Sequence, residues 1–192
     1  MKTATQNLEN DHVYILQLTD VMEAMAGQKS DNATHIENVI GLIKGFADGF
    51  HHAKEENLLF PLLVKKGYST QHGPIAVMLD DHDMGRSYVR GMAEGLDDLK
   101  SRRDGALEKV YANMKGYVDL LRNHIAKENN VLFRMADNVL SEQEQQDLLG
   151  EFAKIEKDSK YGFIVTESIR SIEKLSKAYN CPIKEHDSMS YS

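Results

Sequence analysis

The chain has 192 residues, enough for one domain with a real core and short for two. It is 41% hydrophobic and 28% charged, with no Trp and three Pro, which reads as a globular protein rich in helix formers. The net charge of -7 argues against nucleic acid as a partner, and a lone cysteine, Cys181, rules out an internal disulfide or a thiolate metal cluster.

The N-terminal stretch from Met1 to Asn10 is polar and lacks the apolar core of a signal peptide. No apolar run approaches the roughly 20 residues that span a bilayer. The expectation is a cytoplasmic protein with no membrane partner.

Four helical segments are expected at about 8–27, 33–65, 75–100 and 105–137, separated by turn-forming residues. Asp31 or Asn32 can cap the second, and Pro74 suits the first turn of the third. Pro61 predicts a kink in the second helix. Ser141-Glu142-Gln143-Glu144 is a capping box that opens a fifth segment, with Leu148, Leu149, Phe152 and Ile155 on one face. A further helix is expected through Ile164, Ile169, Ile172 and Leu175. The expected organisation is a bundle over 1–140, a helical extension over 141–180 packed on it, and a flexible tail over 181–192. The extension offers a surface for a protein partner or a second copy.

The second and fourth segments share a motif. His51-x-x-x-Glu55 and His124-x-x-x-Glu128 place an imidazole and a carboxylate on one helical face. Each is followed by Leu-Phe at the same offset, Leu59-Phe60 and Leu132-Phe133. The first and third segments carry Asp11-His12 and Asp81-His82. Each half is therefore a helix with one His, a turn, and a helix with His-x-x-x-Glu. A duplicated hairpin of this kind predicts an all-α, up-down four-helix bundle with a pseudo-twofold axis. Counting at 1.5 Å rise per residue puts His12 level with His51 and His82 level with His124. Across the middle turn the same count leaves His51 and His82 several ångströms out of step.

Four imidazoles and two carboxylates at one level form a nitrogen–oxygen site suited to iron, manganese or zinc. Glu55 and Glu128 are natural bridges between two ions. Together with a shared oxo or hydroxo bridge, these ligands leave two of twelve octahedral positions for further protein groups, water or a small ligand.

The segments His51-His52-Ala-Lys-Glu55-Glu56-Asn-Leu-Leu-Phe-Pro61, Gly73 to Arg86, and His124-Ile-Ala-Lys-Glu128 resemble the hemerythrin-like, or HHE cation-binding, family. The resemblance covers roughly residues 8–138. It implies a four-helix bundle holding two non-haem iron ions, with ligand roles on His12, His51, Glu55, His82, His124 and Glu128. Two departures stand out. Oxygen-carrying hemerythrins place two His four apart on the third helix, where this chain has Met78 and Arg86 around His82. They also use a more distant Asp on the fourth helix in place of Glu128. The chain looks like the bacterial branch, whose members span oxygen or redox sensing, iron handling and stress defence.

Several neighbours carry two readings. His52 and Glu56 lie about 100° around an α-helix from His51 and Glu55. They are either a flanking, partly solvated pair or the source of a fifth histidine ligand. Asp48 and Tyr117 share faces with ligands and either support them by hydrogen bonds or simply pack. Arg86 either holds a carboxylate or reaches solvent. His35, His72 and His186 are expected at the surface, and Cys181 as an inert thiol. The functional expectation is a di-iron protein that binds dioxygen or a related small oxidant for sensing, storage or stress defence. The alternatives are an enzyme reducing peroxide or nitric oxide, and an iron store.

Overall fold

The computed structural model describes residues 3–157 and 159–182, with the side chains of 159–164 excepted. Helix α1 is Ala4–Gly27. Helix α2 covers residues 33–65 without interruption. Helix α3 is Pro74–Lys100 and helix α4 covers residues 106–139. Helices α5, Glu142–Lys157, and α6, Ser159–Ala178, follow. There is no strand among the described residues. The first four helices run up and down as a bundle, and the last two pack on its outside. No described helix is long and apolar enough to cross a membrane.

Helix α1 begins four residues before the expected start. Thr3 caps it, its hydroxyl accepting a hydrogen bond from the Gln6 amide while the Gln6 side-chain oxygen accepts one from the Thr3 amide. This capping box, Thr3-x-x-Gln6, is legible in the sequence. The Ser141 box forms as expected, with Glu144 accepting from the Ser141 amide at 2.9 Å.

Helices α2 and α4 are not uniformly α-helical. Residues Ile43–His52, Glu55–Leu59 and Glu128–Leu132 are wound as π-helix. The Phe60 amide donates to the Glu55 carbonyl, and the Phe133 amide to the Glu128 carbonyl, five residues back in each case. Pro61 was expected to cause the irregularity in α2. The same π turn forms at Glu128–Leu132, where no proline follows, so the winding belongs to the repeated motif and not to the proline.

Two apolar clusters sandwich a polar layer. The larger includes Met22, Phe46, Phe50, Met92, Met114 and Ile125. The smaller includes Leu59, Phe60, Leu132, Phe133, Leu148 and Phe152, so α5 closes that end of the bundle. Helices α3 and α4 approach closely: a Cβ on Gly95 would lie 2.9 Å from a Val110 methyl. Gln145 on α5 accepts from the Ala4 amide at 2.9 Å, and Gln17 on α1 donates to Ser176 on α6 at 2.9 Å. His72 is exposed. His35 is not a free surface residue; its Nδ1 lies 2.8 Å from the Tyr179 hydroxyl, because α6 crosses the end of α2 there. Burial pushes the Cys181 thiol pKa up, which suits an inert thiol. His186 and the tail over 183–192 lie outside the described residues.

Candidate metal centre

The polar layer is built by the repeated motif. In each half the π turn begins at the carboxylate, which faces the bundle axis, while the following Leu and Phe enter the core. Phe133 stacks on the His12 ring at 5.6 Å, and Phe60 on the His82 ring at 6.1 Å. The shared Leu-Phe tail thus forms a wall for the imidazole of the opposite half.

All six expected ligands converge. His12 Nε2 lies 3.0 Å from His51 Nε2, and His82 Nε2 lies 3.2 Å from His124 Nε2. The two ring pairs repeat each other, at 4.7 Å and 62° against 4.8 Å and 63°. Each Glu spans both pairs. Glu55 Oε1 is 3.6 Å from His51 Nε2, and its Oε2 is 3.5 Å from His82 Nε2. Glu128 Oε2 is 3.2 Å from His12 Nε2, and its Oε1 is 3.3 Å from His124 Nε2. Both carboxylates are fully buried, and none of their four oxygens has a hydrogen-bond partner. Buried carboxylate oxygens are costly unless paired or bound to a metal. Two four-residue groups could each hold an ion: His12, His51, Glu55 and Glu128, and His52, Glu55, His82 and His124. The residues present therefore fit a pair of metal ions sharing carboxylates. The expected offset between His51 and His82 is absent.

His52 belongs to this layer. It is buried, its ring stacks on His82 at 3.7 Å, and its Nδ1 lies 3.2 Å from Asp48. The reading as a partly solvated pair with Glu56 fails for a geometric reason. A π turn spreads successive residues over a narrower arc than the 100° of an α-helix, so both His51 and His52 reach the interior. Glu56 is half-buried and holds His82 Nδ1 at 2.6 Å. Arg86 spans Asp48 at 2.8 Å and Glu56 at 2.7 Å, so it holds carboxylates and does not simply reach solvent. Tyr117 is buried beside this group.

Each ligand imidazole is oriented by its other nitrogen, as metal-bound histidines are. His51 Nδ1 meets Asp11 and His124 Nδ1 meets Asp81, both at 3.2 Å. His12 Nδ1 meets Asn129 at 2.7 Å. Asp11 and Asp81 do not serve the histidines that follow them in the chain. In fact each Asp crosses to the facing helix. Lys54 then pairs with Asp11 at 2.6 Å, and Lys127 contacts Asp81. None of these four was singled out as functional. The signal was present: Asp before His, and Lys before Glu, recur in both halves.

Burial sets the protonation pattern. It depresses the His51 pKa to about 4 and the His52 pKa to about 3, against the opposing pull of Asp11 and Asp48, so both rings stay neutral and able to ligate. For His124 burial is outweighed by Glu128 and Asp81, which push its pKa up to about 9. Burial and the Glu128 charge push the Glu55 carboxyl well up. Burial also works against a charge on Glu128, but His124 and His12 outweigh it and hold that carboxyl well below its usual range.

A family model, the hemerythrin HHE cation binding domain, matches residues 3–136. The chain is similar to the iron-sulfur cluster repair protein YtfE of Enterobacter sp. (strain 638), 35% identical over 89 residues, which are 45% of this chain and 40% of that protein. The YtfE protein of Escherichia coli O157:H7 is 33% identical over the same shares. A probable iron-sulfur cluster repair protein of Haemophilus influenzae (strain ATCC 51907 / DSM 11121 / KW20 / Rd) is 28% identical over 122 residues, 62% of this chain and 54% of that one. The matches span about half or less of these relatives' length. No solved structure matches. By its matched span and by this repeated His and Glu layer, the chain belongs to the hemerythrin HHE cation-binding family.

Proposed function

We propose that this chain is a non-haem di-iron protein of stress defence that meets dioxygen or a related small oxidant. One observation carries the reading: four buried, unpartnered carboxylate oxygens, each 3.2–3.6 Å from a different histidine Nε2. His12 and His51 would hold one ion, and His82, His124 and His52 the other, with Glu55 and Glu128 shared. An iron pair supplies reversible one-electron chemistry and an affinity for small oxidants. The protein's share is to keep His51 and His52 neutral, to orient each ring through Asp11, Asn129, Glu56, Asp81 and Asp48, and to exclude bulk water with Phe60 and Phe133. The names of the relatives, iron-sulfur cluster repair proteins, support a role in iron metabolism under stress. The second reading is a centre that reduces peroxide or nitric oxide, or that stores and releases iron.

The test is metal analysis joined to an absorption spectrum taken anaerobically and then in air. About two irons per chain and a reversible oxygen-dependent band support the first reading. Steady consumption of peroxide or nitric oxide with a reductant supports the second. Trace metal in protein from iron-replete cells overturns both. Glu128→Ala should lose at least one ion, and full retention of both would contradict a bridging role.

A further inference from the structure

Beside His52 and His82 lies a cavity of about 310 Å³ between α2, α3 and α4. It exceeds what a diatomic molecule needs and matches the lower range of small-molecule sites. The residues at the repeat-related positions differ in kind. His52, Asp48 and Arg86 correspond by offset to Ile125, Leu121 and Leu16, and Gly85 corresponds to the buried Ile15. Polar and small residues thus open one half where aliphatic ones fill the other.

The polar groups facing the cavity differ in what they have left to offer. Asp48 is engaged, with His52 at 3.2 Å and the Arg86 Nε at 2.9 Å. Arg86 is engaged by Asp48, Glu56 and Asp83. Apart from the second ring nitrogen of His52, which joins the metal layer, three groups remain, and all are donors. Tyr117 lines the cavity, is 3% exposed, and its hydroxyl has no hydrogen-bond partner among the described residues. Burial and the Asp48 charge push its pKa up, so it stays protonated and able to donate. Lys44 on α2 and Arg90 on α3 also line the cavity, are exposed, and make no ion pair among the described residues. In a chain of net charge -7, two unpaired cations at one mouth select for an anion.

We infer that this cavity binds a small oxyanion, a carboxylate or a phosphate, with an oxygen accepting from the Tyr117 hydroxyl beside His52 and His82 and its charge met by Lys44 and Arg90. The donors belong to the protein itself, so binding goes beyond the metal reading; only the oxyanion's consequence for the ions rests on it. The site makes the two metal positions unequal, since one adjoins an anion pocket and the other an aliphatic wall.

Calorimetric titration of the purified protein tests this, with acetate and inorganic phosphate as probes and acetamide as the neutral match of acetate. Saturable binding of acetate or phosphate, with acetamide weaker, is expected, and the tighter of the two identifies the source. Tyr117→Phe should weaken it about tenfold, the value of a hydrogen bond to a charged group. Lys44→Glu with Arg90→Glu should weaken it about tenfold or more and reduce its salt dependence. Both sites of that double variant are exposed, so the test survives if Tyr117→Phe fails to fold. Oxyanions binding no better than acetamide, or with unchanged affinity in the charge-reversed variant, would overturn the inference. Metal content measured on the same samples separates the two ideas: oxyanion binding by a metal-poor wild type overturns only the di-iron reading, and lost binding with metal retained follows from the pocket alone.

Discussion

The repeat supplies its own control for a test of how the ligands are held. Lys54 is fully buried, 2.6 Å from Asp11, 2.9 Å from Asn7 and 3.4 Å from Glu156 of α5. Its ammonium also lies over Phe50 at 4.3 Å and Phe152 at 5.3 Å. Its counterpart Lys127 contacts Asp81 from a side chain that is 40% exposed. Lys54→Met removes the cation from Asp11, whose side chain is 2% exposed and which orients His51. Breaking a buried pair from one side costs about 3–5 kcal/mol. The Met thioether regains about 1 kcal/mol against Phe50 and Phe152, leaving a net loss of about 2–4 kcal/mol. That is a large fraction of a typical total near 5–15 kcal/mol. Lys127→Met should cost below about 1 kcal/mol, as exposed pairs do. Urea unfolding of the two variants measures the difference, with Lys54→Met carrying Asp11→Asn expected to recover part of the loss. Equal losses at the two positions, or a loss under 1 kcal/mol at Lys54, would refute the claim that α5 seals a buried charge chain behind His51.

Three further outcomes are expected. In chelator-treated protein Glu55→Gln should stabilise the fold, because it removes an acid whose charge is opposed by burial and by Glu128, yet it should weaken metal retention; urea midpoints with and without metal read both signs. Metal affinity should rise with pH from 6 towards 9. His124, with its pKa raised to about 9, and Glu55, also raised, hold protons below their folded pKa values and must release them to ligate. A chelator competition series that is flat across this range would contradict it. Gly95→Ala should cost about 1–3 kcal/mol in unfolding experiments, since its Cβ would sit 3.0 Å from the Val110 backbone nitrogen. Gly91→Ala should cost less, because its Cβ would meet only the Asn113 side chain, which can turn away.

The sequence by itself determined the bundle and the ligand layer, because both rest on local spacing. Residues four apart share a helical face whatever the tertiary context, so His51 with Glu55 and His124 with Glu128 were legible, and their duplication supplied His12 and His82. The two C-terminal helices were legible from capping and apolar periodicity. Only the tertiary structure decided the position of His52, since ideal α geometry turned it 100° away and the π winding of Ile43–His52 brought it back. It also decided that Asp11 and Asp81 serve the facing histidines, and that Glu156 of α5 reaches buried Lys54. Those contacts join residues 40, 43 and 102 positions apart, and although Asp-His and Lys-Glu recur in both halves, no local spacing says which group across the bundle each one meets.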